Sequence, residues 1–321
     1  MLDSVIGHGQ LKERLIVRLK KHPIGTFLFY GPPSTGKRTT AFEAAKFILC
    51  EESGEAKCVC RSCKRSEFDH PDFLCVGRKE KIKVADVEKI LEFSETTPFL
   101  SKNKVIVLDN AHDITWEAAN RLLKLLEEPP PHFAFFLVSD NPQKMIPTIL
   151  SRCIKFEFNS LQKDDLIEIF SIKMGFKKSE AKMLGWVAAD TSMDIFSHAG
   201  KYLKYRMMVV EFLSNMKKRK LIDSLDYIDK IERGDLSIFC DLLVLILTDI
   251  LLLKNGIQDI TNGDIIKDVT KIAENINPKA LIAITSHFSQ VKRYQYLNIN
   301  SNMNLKSCLI KSYPLFMVPA I

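Results

Sequence analysis

Five short apolar runs punctuate the first half of the chain: Phe27–Tyr30, Asp72–Val76, Lys104–Leu108, Ala134–Ser139 and Ile154–Phe158. Runs of this length with little polar alternation read as strands buried on both faces, the pattern of a parallel sheet. Between them the period changes. Thr39–Leu49, Val84–Thr96 and Thr115–Glu128 carry apolar residues at three- and four-residue steps, so helices are expected there. In the last of these Ala118, Leu122, Leu125 and Leu126 share one face and should meet the sheet, and Pro129-Pro-Pro131 stops the helix. The alternation predicts an α/β domain over residues 1–160, a parallel sheet flanked by helices.

From Ser160 onward the strand signals fade. Leu161–Met174 and Lys178–Ala188 read as short helices, with Ser160 as N-cap of the first. They predict a small helical domain over residues 161–206. Beyond it, longer helical periods broken near Gly234, Asn255-Gly256, Asn262-Gly263 and Asn277-Pro278 predict an all-α bundle over 207–321. The most apolar tract, Ile238–Leu253, is interrupted by Asp241, Thr248 and Asp249. It falls short of the roughly 20 residues that span a bilayer, so a buried helix is expected and no membrane is implied.

The 321 residues, 46% hydrophobic and 26% charged, suit two or three globular domains. A formal charge of +7 is modestly basic, which suggests proximity to nucleic acid without establishing contact. The densest basic cluster, Lys217-Lys-Arg-Lys220, fits direct DNA contact or simply a solvated helix end. Met1 to Gln10 lacks the apolar segment of a signal peptide, so a cytoplasmic location is expected.

Chemistry enters with Gly31-Pro-Pro-Ser-Thr-Gly36-Lys37-Arg38, which follows the first strand and opens a helix. Glycines at this spacing let backbone N–H groups face phosphate oxygens, and Lys37 would reach the terminal phosphates. The next position normally carries the serine or threonine that binds magnesium, and here it is Arg38. Thr39 sits about 100° further round the helix, a poor geometric substitute. The strand Lys104–Leu108 ends in Asp109, the expected metal-facing carboxylate, but Asn110 stands where a glutamate would polarise water. An amide is no base at neutral pH, so the chain lacks two parts of a hydrolytic centre. Binding of ATP or ADP without cleavage stays open. Ser151-Arg152-Cys153 reads on its own as a surface arginine at a helix end; supplied in trans to a neighbouring subunit, the same arginine could neutralise a phosphoryl group in transit.

Four of the eight cysteines crowd into Cys50-x7-Cys58-x-Cys60-x2-Cys63. Clustered thiolates in a reducing compartment favour a structural zinc, with Ser53, Gly54 and Ala56 supplying a flexible loop. The alternative is an eroded site with free thiols. Cys75, Cys153, Cys240 and Cys308 are scattered singly and read as small apolar residues.

Taken together, Gly7-His-Gly-Gln10, the phosphate loop, His70-Pro-Asp72, Ala119-Asn-Arg-Leu-Leu-Lys-Leu-Leu-Glu-Glu-Pro-Pro130 and Thr148-Ile-Leu-Ser-Arg-Cys153 resemble the bacterial clamp-loader AAA+ subunits of DNA polymerase III, within that family the delta-prime type. The resemblance implies an AAA+ sheet, a helical lid and a collar bundle in a pentameric ring with gamma/tau motors and delta, acting on a sliding clamp and primed DNA. It implies a four-cysteine zinc module, held here by Cys50, Cys58, Cys60 and Cys63, although the x-spacing between Cys58 and Cys60 is shorter than the family's usual x2. It places the finger role on Arg152. Motors of the family carry a sensor arginine in the lid, and Asp190–Phe196 has none, which favours delta-prime over a gamma/tau motor that would use Thr39 or Thr40 for magnesium. A more distant reading is a stand-alone AAA+ remodeller.

Overall fold

The computed structural model describes residues 2–52, 58–65, 69–78, 80–190, 195–295 and 301–319. The chain packs into two units, Met1–Gln162 and Lys163–Ile321.

In the first unit the elements run α1 (Gly9–Lys21), β1 (Gly25–Tyr30), α2 (Lys37–Leu49), β2 (Phe73–Val76), α3 (Val84–Glu95), β3 (Lys104–Leu108), α4 (Trp116–Glu127), β4 (Phe133–Ser139), a short α5 (Pro147–Leu150) and β5 (Ile154–Glu157). All five expected strands form one sheet in the order β2-β3-β4-β1-β5, every pair parallel. Successive residues of β1 serve opposite layers. Phe27 and Phe29 join Phe136, Phe156 and Phe158 under α1 and α2, whereas Leu28 joins Ile106, Phe135 and Leu137 under α3 and α4. Central strands covered on both faces therefore read as unbroken apolar runs.

Ala118, Leu122, Leu125 and Leu126 of α4 are buried against the second face, as their spacing predicts. Each such leucine contributes about 1.5–3 kcal/mol through burial. The Thr115 hydroxyl caps the helix by accepting from Ala118 N–H at 3.4 Å.

The second unit is helical: α6 (Lys163–Glu168), α7 (Lys178–Asp190), α8 (Ile195–Ser214), α9 (Leu221–Asp229), α10 (Leu236–Lys254), α11 (Ile266–Glu274), α12 (Pro278–Gln295) and α13 (Ser301–Phe316). The helix expected from Leu161 starts at Lys163, leaving Ser160 outside it, and its second half, Ile169–Lys173, is a π-type turn. Phe170, Tyr202, Phe239, Leu281 and Phe316 belong to one continuous core. The division expected at 206 falls inside α8, which runs unbroken to Ser214. The apolar tract is α10, long and apolar enough to cross a membrane, yet it buries Ile238, Phe239, Leu242, Leu243, Ile246, Leu247 and Ile250 within the bundle.

Candidate functional site

The first unit brings the phosphate loop, Asp109 and the end of β4 together because β1, β3 and β4 are neighbours that finish at one edge of the sheet. Ligands of open parallel sheets bind beyond these carboxyl ends. Gly31 follows β1 at φ +140°, and a Cβ there would sit 2.0 Å from Phe158 O. Gly31→Ala is expected to lower stability by at least about 1–3 kcal/mol from backbone strain, before the clash is counted. Urea unfolding checks this, and an unchanged midpoint would show that the loop relaxes freely. Gly36, at φ +85°, caps α2 in the left-handed region.

Lys37 is only 4% exposed and its ammonium is fully engaged. It donates to Gly31 O at 2.9 Å, to Pro32 O and to Thr35 Oγ1 at 3.2 Å, and pairs with Asp140 Oδ1 at 2.8 Å. Burial pushes it below the ordinary lysine value, while Asp140 pulls the other way. Arg38 turns back over the sheet edge. Its Nε lies 3.3 Å from Asp109 Oδ2, and its guanidinium rests 5.2 Å from the Phe42 ring centre. Burial raises the Asp109 carboxyl above its usual range, and the Arg38 charge opposes that rise. An arginine thus serves as counter-cation to Asp109 at the end of β3. Thr39 is exposed, and the buried Thr40 donates its hydroxyl to Gly36 O at 2.9 Å.

The Gly7-His-Gly-Gln10 motif also reaches this loop. His8 Nε2 donates to Thr35 O at 2.9 Å, and the ring packs edge-on against Phe158 with centres 4.9 Å apart. Neither this brace nor the Asp140 partner of Lys37 was read from the sequence. A signal for the latter exists: Tyr30 pairs with Ser139, so whatever follows Ser139 lies beside the start of the loop.

Arg152 follows α5 and is 32% exposed. Its Nη1 donates to Thr148 O at 2.7 Å, and its Nη2 pairs with Glu127 Oε1 at the end of α4. The two motifs that define the resemblance are therefore joined by one ion pair. Asn110 adopts a left-handed conformation and donates to Gly77 O at 3.3 Å.

The four cysteines Cys50, Cys58, Cys60 and Cys63 converge, all their sulfurs within 4.8 Å of one another. Cys50 Sγ is 3.6 Å from Cys58 Sγ and 3.9 Å from Cys60 Sγ. A tetrahedral site with metal–sulfur bonds of about 2.3 Å has sulfur–sulfur edges of about 3.8 Å, so the donor set fits a tetrahedral ion. The short Cys58-x-Cys60 spacing does not keep Cys58 out. Burial opposes ionisation of Cys60, but backbone donors, Cys63 N–H at 3.4 Å among them, bring its thiol down to about 7. The cluster is a place where a metal ion can be held. Ser53, Gly54 and Ala56 lie outside the described residues, as do residues 191–194 of the stretch read for a sensor arginine.

His70-Pro-Asp72 ties this cluster to the sheet. Asp72 is buried and accepts from the backbone N–H groups of Phe99, Leu100 and Ser101 at 2.6, 2.7 and 2.8 Å. Asp72 N–H donates to His70 Nδ1 at 3.1 Å, which leaves the proton on Nε2, 3.4 Å from Ser101 Oγ. Ser101 Oγ donates to Leu49 O at 2.6 Å and lies 3.0 Å from Ser62 Oγ.

Comparison with known proteins decides the family. The family described as DNA polymerase III, delta subunit, matches residues 7–162, and the family of its C-terminal region matches 201–311. The chain belongs to the clamp-loader subunits of DNA polymerase III. It is 38% identical over 149 residues to the delta′ subunit of Bacillus subtilis, covering 44% of this chain and 45% of that one. To the delta′ subunit of Pseudomonas aeruginosa it is 35% identical over 136 residues, covering 40% and 41%. To the tau subunit of Escherichia coli it is 34% identical over 143 residues, covering 44% of this clamp-loader chain and 22% of tau. The matched segment thus spans less than half the length of each relative.

Proposed function

We propose that this clamp-loader subunit is of the delta-prime type: a largely non-hydrolysing AAA+ protein that presents Arg152 to the ATP site of a neighbouring motor during sliding-clamp loading. The observation that carries the reading is the Arg38–Asp109 ion pair, which puts a side-chain cation against the carboxylate that would hold the metal. Lys37 is meanwhile neutralised by Asp140 and loop carbonyls, and Asn110 offers no base. Gly31, Gly36, Lys37, Thr39 and Asp109 would form a degenerate nucleotide site. Arg152 lies away from this cluster, is held by Glu127 and Thr148 O, and keeps a third of its side chain exposed.

In this reading the bundle serves as a collar in a pentamer with gamma/tau motors and delta, which acts on the clamp and on primed DNA. The purified chain is expected to co-elute with motor and delta subunits while showing no ATP turnover alone. Brisk turnover by the isolated chain, abolished by Lys37→Ala, would establish the second reading, a gamma/tau-type motor, which the 34% identity to tau favours.

The ion held by Cys50, Cys58, Cys60 and Cys63 is proposed to be a structural zinc. Four thiolates leave no position for water, so the ion would staple residues 50–63 to the sheet rather than take part in catalysis. Elemental analysis should find about one zinc per chain, in line with a closed four-ligand site. Cys60→Ser should lose the metal and expose residues 50–65 to proteolysis, whereas Cys153→Ser should keep it. A metal-free wild-type chain with the same protease resistance would refute the assignment.

A further inference from the structure

The basic stretch Lys217-Lys-Arg-Lys220 divides in the structure between support and display. Arg219 is structural: Nη2 pairs with Glu211 at 2.9 Å, the guanidinium lies 4.5 Å from the Tyr227 ring centre, and its carbonyl accepts from Tyr313 Oη at 2.7 Å. Lys218 N–H and Arg219 N–H both donate to Asn215 O at 3.0 Å, so the turn after α8 is held in place. Lys217 and Lys218 are exposed on that turn, and Lys271 reaches the same spot from the last turn of α11. The three ring a cavity of about 240 Å³ whose wall includes Met216, Ile276 and Phe316. Among the described residues none of these three lysines makes an ion pair.

We propose that this pocket binds an acidic segment of a protein partner that carries one large apolar side chain. The wall and the rim ask for different things of a ligand. An apolar wall is stabilised by an apolar group that displaces its water. Unpaired ammonium groups at the rim favour carboxylates and would steer such a segment in. The volume is below the roughly 300 Å³ at which pockets for drug-sized ligands begin, so it fits a single side chain as anchor. Nucleic acid would satisfy the lysines through phosphates but leave the wall unfilled. The inference concerns the second unit alone and does not depend on what Arg152 does.

The test uses the full chain and a fluorescein-labelled pentapeptide with tryptophan between two pairs of glutamates, read by anisotropy. Reversing the rim with Lys217→Glu, Lys218→Glu and Lys271→Glu together should weaken binding about tenfold or more. Ser214→Trp, an exposed change at the pocket mouth, should fill the cavity and weaken binding to a similar degree, with both variants retaining the wild-type circular dichroism. Absence of peptide binding overturns the proposal. So does binding lost on charge reversal but kept in Ser214→Trp, because charge alone would then account for it. A single-stranded oligonucleotide bound more tightly than the peptide, with that same pattern, would assign the lysines to nucleic acid instead.

Discussion

In a loader assembled from this chain with motor and delta subunits, Arg152→Ala is expected to slow ATP cleavage at the adjoining motor site by about 10³-fold or more, the usual worth of a guanidinium supplied in trans. The size of the effect follows from what the group does. In the proposed role it would neutralise charge that develops on the transferring phosphoryl group in a site from which water is excluded, where an unscreened cation counts for most. Total turnover should fall only by the share of that one site, so the assay needs motors whose other sites are silenced. Assembly, followed by size-exclusion chromatography, should be unchanged, which separates loss of chemistry from loss of the complex. Arg152→Lys should rescue little, because a point charge does not reproduce the planar fork. Turnover unchanged in Arg152→Ala would end the finger assignment.

The largest stability effect is expected at Asp72. Its carboxylate is the acceptor for three successive backbone donors in a buried position, so Asp72→Ala strands Phe99, Leu100 and Ser101 N–H together. Each orphaned donor costs about 1–3 kcal/mol, and some relief from entering water brings the sum to roughly 3–5 kcal/mol. Asp72→Asn keeps one acceptor oxygen and should lose less. Urea unfolding of the two variants gives the order, and hydrogen exchange at residues 99–101 gives the cause. If Asp72→Ala left those amides protected, another acceptor would have to be holding the loop. Because Ser101 also bonds to Leu49 O and lies beside Ser62, the damage should spread to the cysteine cluster.

The sheet was legible because both of its faces are covered. Val105-Ile-Val-Leu108 and Phe133–Val138 have no solvent side, so their sequence needs no polar alternation, and the strand positions follow from apolar runs alone. Lys104 is the exception within β3. It is buried, its ammonium donating to Phe93 O at 2.8 Å and lying 3.8 Å from the Phe93 ring centre, an arrangement no periodicity announces. At the phosphate loop, the sequence marked Arg38 as out of place but could not say where a long, flexible side chain would turn. That depended on Asp109 lying within reach across two strands. The cysteines were legible as a group, whereas closure by Cys58 depended on loop geometry that spacing does not encode. In the helical unit the 3.6-residue period located the helices, and α8 carries its apolar stripe past residue 206 to Ser214.

The contact between Arg152 and Glu127 bears on how quickly the chain could answer a newly arrived neighbour. A solvent-accessible ion pair of this kind is worth only about 0–1 kcal/mol, so the guanidinium is stored in an orderly rotamer at almost no energetic debt. On the proposed reading, a more strongly anionic phosphate coming within range would let the side chain exchange one oxygen acceptor for another instead of being recruited from a disordered ensemble. Most of the ordering entropy would then be spent before the encounter, and departure of the nucleotide would return the arginine to a waiting carboxylate.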